Sequence, residues 1–219
     1  MIDKRWGSGE TFLGFEPIDS LVSKAQLAVF YMNQGMFDKA AQLGEEVLEG
    51  SEKLRGKEHP ETLTVMAHLA YVYWKQGKLD EAVNLGKKTL TKRTQLLGAA
   101  NIDTLTVKGY LALIYQDQGK LRLALKLGEE VLEGLLMLPG EAHRDITVIT
   151  MGNLGLLYMK LGMWAEAVKI GEEYLEMKIK LVGKDHPETQ IARHYLATAY
   201  RELRRSTNAS TSTRKCTIS

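Results

Sequence analysis

Cysteine is almost missing from this chain of 219 residues: Cys216 is the only one, which excludes an intrachain disulfide and any metal site built on cysteine. Proline is scarce as well, at four. Beside plentiful Leu, Ala, Glu, Lys and Gly, that scarcity argues against a sheet-rich fold and predicts an all-α chain whose helices are broken by glycine turns. An excess of one charge is lacking too. The net charge of +2 provides no concentrated basic surface for phosphate, so no nucleic-acid partner is expected. What basicity there is lies at the C-terminal end, where Arg201, Arg204, Arg205, Arg214 and Lys215 stand against Glu202. No window approaches the ~18 apolar residues of a membrane-spanning helix, and the opening MIDKRWGSGETFLGFEP has no apolar core of a secretory signal. A cytoplasmic chain is expected, and its 44% hydrophobic content is enough to bury a core.

What is present is a repeat. LAVFYMNQGMFDKA (Leu27 to Ala40) recurs as LAYVYWKQGKLDEA from Leu69, LALIYQDQGKLRLA from Leu111 and LGLLYMKLGMWAEA from Leu154, steps of 42, 42 and 43 residues. A further start, LATAYREL from Leu196, gives way to RRSTNASTS, so the array ends on a half unit. Ser20, Thr62, Thr104, Thr147 and Thr189 stand just ahead of an apolar periodic stretch, where a hydroxyl is expected to cap the first free backbone N–H groups. Gly35, Gly77, Gly119 and Gly162 come where the first helix of each unit should stop. The second helices are expected to run from about Asp38, Asp80, Leu121 and Ala165 to Gly56, Gly98, Gly140 and Gly183.

Another glycine set, Gly44, Gly86, Gly128 and Gly171, falls inside the second helices, where each costs roughly 1 kcal/mol relative to alanine. Its recurrence predicts that a neighbouring helix comes close there, with Ala40, Ala82, Ala124 and Ala167 serving the same packing one turn earlier. The pairs Glu45-Glu46, Glu129-Glu130 and Glu172-Glu173, with Lys87-Lys88 as the exception, read as a solvated face.

The pattern Leu-Ala-x-x-Tyr, then Gly, then Ala five residues later, clearest at Leu69, Ala70, Tyr73, Gly77 and Ala82, resembles the tetratricopeptide repeat (TPR) signature. The long period and the loops GKEHPETL (Gly56 to Leu63) and GKDHPETQ (Gly183 to Gln190) are similar to the long variant of kinesin light chains, found also in some NOD-like receptors. The resemblance implies a right-handed α-solenoid of tandem helix-turn-helix repeats. The expected organisation is an N-terminal extension (1–17), an array (18–204) with units near 20–61, 62–103, 104–146 and 147–188 and a terminal helix 189–204, then a Ser/Thr-rich basic tail (205–219) expected to be disordered. Fewer than 20 residues precede the array and they carry no heptads, so motor binding through a coiled coil is not expected. Nor is there a GxxxxGK[ST] phosphate loop.

The resemblance also implies that first helices line a concave, ligand-facing groove. Counted from the Leu-Ala-x-x-Tyr register, its candidates are Gln26, Val29, Met32 and Asn33; His68, Tyr71, Trp74 and Lys75; Tyr110, Leu113, Gln116 and Asp117; Asn153, Leu156, Met159 and Lys160; and Tyr195, Thr198, Arg201 and Glu202. Such a mix of aromatic, amide and basic groups suits an extended peptide; alternatively Tyr71, Tyr110 and Tyr195 pack between adjacent first helices. The carboxylate clamp of chaperone-binding TPRs is not expected, since Ala25, Ala67, Gly109 and Gly152 occupy its places.

No histidine, whether His59, His68, His143, His186 or His194, pairs with another ligand at metal spacing such as HExxH. Nothing orients the lone cysteine as a nucleophile, and neither enzymatic activity nor a cofactor is expected. The last four residues, Cys216-Thr217-Ile218-Ser219, match the C-a-a-X prenylation pattern behind basic Arg214 and Lys215, whereas Asn208-Ala209-Ser210 is discounted as a glycosylation acceptor in a cytosolic chain. The function expected is a non-catalytic adaptor that binds a peptide segment of a partner protein in the groove. Its alternatives are a weakly membrane-associated scaffold tethered through a prenylated Cys216 and the sensor array of a NOD-like receptor.

Overall fold

The structure, a computed structural model, describes residues 18–216. Among the described residues there are nine helices and no strand. First helices α1 (Ile18–Asn33), α3 (Pro60–Lys75), α5 (Ile102–Asp117) and α7 (Arg144–Lys160) alternate with second helices α2 (Phe37–Arg55), α4 (Leu79–Leu97), α6 (Leu121–Met137) and α8 (Trp164–Val182), and α9 (Pro187–Cys216) opens a fifth unit. The fold class is therefore the expected all-α array of tandem helix-turn-helix repeats. The glycines stop the helices as the sequence implies: Gly35, for example, sits at φ 71° and Gly56 at φ 91°, backbone conformations that other residues adopt at a cost.

The helix starts differ from expectation. Thr62, Thr104, Thr147 and Thr189 are buried within the first turn, and Ser20 is the third residue of α1. The side chains that cap come three residues ahead of the threonines. The Glu61 N–H donates to His59 Nδ1 at 3.3 Å, the Asp103 N–H to Asn101 Oδ1 at 2.9 Å and the Glu188 N–H to His186 Nδ1 at 3.2 Å. Pro60 and Pro187 favour this start in α3 and α9, because proline suits the first helical position, where no N–H is needed, and α5 starts at the same offset with Ile102. The threonine hydroxyl then faces inward and finds a backbone carbonyl, as Thr62 does with Ser51 (3.5 Å) and Thr189 with Gly183 (2.7 Å).

The chain divides into two compact units, one up to Leu85 and one from Gly86 onward. In the first, α1 packs on α2 and α2 on α3, around Ala40, Ala41, Leu69 and Val72 with Phe37, Tyr73 and Leu85 against them. In the second, α5 to α9 each pack on the next. One cluster there joins Leu105, Val131 and Leu135, and another joins Ala167, Val168 and Ala199.

The inner glycines are contact points. A Cβ built at Gly44 would lie 3.1 Å from Leu69, at Gly86 2.9 Å from Leu111, at Gly128 2.9 Å from Leu154 and at Gly171 3.1 Å from Leu196. Each second helix thus leaves room for the leucine that opens the Leu-Ala or Leu-Gly motif of the following unit.

α9 continues past residue 204, through Cys216. No proline or glycine follows Pro187 to stop it. Arg205 pairs with Glu202 one turn back at 2.9 Å, and the hydroxyls of Ser206 and Thr207 donate to the carbonyls of Leu203 and Arg204. The N-terminal extension 1–17 and the Thr217–Ser219 end of the prenylation motif lie outside the described residues.

Candidate functional site: the first-helix groove

In the first unit, α1 and α3 lie side by side over α2 with a cleft of about 500 Å³ between them. Its α1 wall includes Ala25, Gln26, Val29 and Met32; its α3 wall includes Val65 and His68; and Gly44 and Val47 of α2 form the floor. The lining is mostly apolar. An Arg55–Glu61 ion pair (3.0 Å) sits at one end. Four positions that the sequence assigned to the groove, Gln26, Val29, Met32 and His68, therefore meet around one opening. The small side chains of Ala25, Ala28 and Gly44 help to make the space.

Tyr71, Trp74 and Lys75 follow on α3 and form a compact group. The two rings meet edge to face at 5.5 Å between centroids, and Lys75 Nζ stands 3.8 Å above the Trp74 ring. Tyr71 also packs against the Ala40 and Leu69 cluster. It shares the structural role that the sequence left open, and it keeps a partly exposed ring. Asn33 is exposed at the end of α1.

The second unit has the corresponding crevice between α5 and α7 over α6, but only about 30 Å³ of it is open. Leu113, Gln116 and Asn153 line it beside Gly109 and Gly128, so these three are brought together as expected. Tyr110 does not line it and acts instead on Arg93, a buried arginine of α4. Burial lowers the Arg93 pKa, opposed by Asp103 and Tyr110. Its Nη1 donates to the Asp103 carbonyl at 2.8 Å, pinning the start of α5. Met159 packs into the Ala167 and Ala199 cluster. Lys160, Tyr195 and Arg201 are exposed; Arg201 pairs with Glu202 at 3.3 Å, and Tyr195 meets His194 at 6.2 Å. Cys216 is the last residue of α9.

The glutamate pairs hold more than a solvated face. Tyr73 donates its hydroxyl to Glu45 at 2.9 Å, Tyr158 to Glu129 at 2.7 Å, and Tyr200 to Glu172. Each is the tyrosine of the repeat motif reaching the second helix of the preceding unit. Where Lys87 replaces the glutamate, its Nζ lies 5.9 Å from the Tyr115 ring, so a cation–π contact stands in for the hydrogen bond. Two of the second glutamates bind a lysine of their own unit's first helix: Lys24 with Glu46 at 3.0 Å and Lys108 with Glu130 at 2.8 Å. The clue was in the sequence, as a tyrosine recurring 28 or 29 residues after a glutamate.

Among the described residues no group of three His, Cys, Asp or Glu side chains could hold a metal, and no helix is long and apolar enough to cross a membrane. The geometry offers instead a shape-defined apolar opening with a few polar groups at its edge.

The tetratricopeptide repeat profile matches residues 20–95, 68–137, 102–180 and 146–215, together nearly all of the described chain. Among solved structures, a Podosopora anserina kinesin light chain with nearly identical TPR-like repeats is 26% identical, with a TM-score of 0.74 over 90% of this chain and 93% of that one. BtubC (BKLC) from P. vanneervenii is 23% identical, with a TM-score of 0.70 over 92% of this chain and 78% of its own. A signal-transduction ATPase of Pyrococcus horikoshii with a tetratricopeptide repeat sensor shares the fold at 20% identity and a TM-score of 0.68, over 90% of this chain and 29% of that protein. No curated protein is a significant match. With the profile matched over well more than half of its length, the chain belongs to the tetratricopeptide repeat family.

Proposed function

We propose that this chain is a non-catalytic adaptor that binds a peptide segment of a partner protein, with the cleft between α1 and α3 as the principal anchor. The observation that carries this reading is the cleft itself: about 500 Å³ lined by Val29, Met32, Val65 and their neighbours, with Gln26 and His68 among the lining. An aliphatic or aromatic side chain buried there would contribute roughly 1.5–3 kcal/mol, and the polar groups at the edge would fix the peptide's direction. Tyr71, Trp74 and Lys75 continue the surface along α3, and aromatic groups of this kind dominate protein interfaces. In the second unit Gln116 and Asn153 supply amide groups at the corresponding place.

Affinity capture followed by mass spectrometry, with wild type beside Ala25→Phe and beside a Tyr71→Ala, Trp74→Ala, Asn153→Ala triple variant, tests this. Partners retained by wild type should be lost from Ala25→Phe, which fills the cleft, and reduced with the triple variant. An unchanged set of partners on both folded variants would remove the groove as the site.

A further inference from the structure

On α9, Leu203 lies against the cluster of Ala167, Val168 and Ala199, and beyond it Arg204, Arg205, Ser206, Thr207 and Asn208 are all exposed. Between Leu203 and Cys216 the sequence has one apolar residue, Ala209, so these turns have little to bury and are held by local bonds. The hydroxyls of Ser206 and Thr207 donate to the carbonyls of Leu203 and Arg204 at 2.8 and 2.9 Å, and Arg205 reaches Glu202 at 2.9 Å. Without packing, a helical stretch of about a dozen residues rich in Ser, Thr and Asn is marginal in water. Such turns open locally at low free energy.

Two arginines stand ahead of a hydroxyl in this stretch. Thr207 has Arg204 three places and Arg205 two places before it, and no other Ser or Thr of the sequence has arginine at both. Thr147 has Arg144 at the first place only and is buried, while Ser8 and Thr217, behind Arg5 and Arg214, lie outside the described residues. Arg205 is 69% exposed, and a surface ion pair such as the one it makes with Glu202 yields readily to a better-placed carboxylate. Guanidinium groups pair with carboxylates through two parallel hydrogen bonds. An enzyme cleft that offers carboxylates to both arginines would therefore draw this segment out of the helix and hold the Thr207 hydroxyl at a fixed distance.

We propose that Thr207 is a phosphorylation site for an arginine-directed serine/threonine kinase, with ATP as the phosphoryl donor. The Thr207 hydroxyl oxygen attacks the γ-phosphorus, and the new O–P bond forms as the bond to the β–γ bridging oxygen breaks and ADP leaves. The hydroxyl proton passes to the catalytic aspartate of the kinase. The product carries a charge of about −1.5 to −2 at pH 7, which offsets Arg204 and Arg205, and its ester oxygen no longer donates to the Arg204 carbonyl. The residues lining the α1–α3 cleft take no part, so the proposal stands or falls independently of peptide binding there.

The test incubates the full chain with magnesium ATP and the catalytic subunit of cyclic-AMP-dependent protein kinase, an enzyme of this specificity, and follows intact mass and the position of the modified residue. A phosphoryl group on Thr207 is expected. Thr207→Ala should abolish it, and Arg204→Ala with Arg205→Ala should slow it at least tenfold through the lost charged hydrogen bonds. Because all three side chains are exposed, the variants should melt as wild type does. A synthetic peptide of the sequence Arg201–Thr211 measures access, and the full chain should be modified at a comparable rate. No incorporation into the full chain, whether or not the peptide is modified, would overturn the proposal. So would phosphate on Ser8 or Thr217 in place of Thr207, or a rate unmoved by the arginine substitutions.

Discussion

Tyr158 of α7 donates its hydroxyl to Glu129 of α6 across 2.7 Å, and the same contact joins Tyr73 to Glu45. Burial, followed by the hydrogen bond and the carboxylate charge, pushes the Tyr73 pKa up to about 12 and raises that of Tyr158 as well. Because both hydroxyls titrate higher in the folded chain than in the unfolded one, their stabilisation is complete below the ordinary tyrosine value of about 10 and is lost as pH rises towards 12. The urea midpoint should therefore fall between about pH 9 and pH 11. In a Tyr73→Phe, Tyr158→Phe double variant the fall should be smaller; an equal fall in both proteins would show that these pairs do not couple to folding.

Glycine in a helix is normally a liability, and two helical glycines here should respond in opposite directions. At Gly109 a Cβ meets nothing within 4 Å, so Gly109→Ala should stabilise by about 0.5–1 kcal/mol. At Gly128 the new methyl would lie 2.9 Å from Leu154, and overpacking costs about 1–3 kcal/mol, more than the gain in helix propensity. Gly128→Ala should destabilise, and Gly128→Val more so. Urea denaturation of the three variants gives the order directly, and equal midpoints for Gly109→Ala and Gly128→Ala would contradict the close approach.

His59 accepts from the Glu61 N–H, as Asn101 does from the Asp103 N–H one unit later. His59→Asn should leave stability near wild type, while His59→Ala should cost about 0.5–2 kcal/mol for the lost cap. Thermal melting distinguishes them, and two equal losses would show that the ring matters for something other than capping.

Much of the architecture was legible because it is periodic. The glycine stops, the second-helix starts to within a residue, and the tight leucine–glycine crossings all follow from residues that recur at fixed register. Other features depend on geometry that a pattern does not carry. The threonines look like caps because they precede the apolar stretch, yet each helix starts two or three residues upstream, on proline at Pro60 and Pro187, and the threonines are buried. Arg93 reads as one more surface cation in LTKRTQ and is buried, because its unit places an arginine where Leu135 stands in the next. The groove shows the same limit. Register alone places Gln26 and His68 there, but the pattern does not separate the open cleft beside them from the nearly closed crevice at Gln116 and Asn153.

The most direct measurement of peptide binding in the groove is selection of peptides from a random phage-displayed library on the wild-type chain, followed by titration of the recovered peptides. Groove binding predicts peptides with an apolar anchor whose affinity falls at least tenfold against folded Ala25→Phe and is weakened by Tyr71→Ala with Trp74→Ala. Peptides that bind wild type and Ala25→Phe with equal affinity would contradict it.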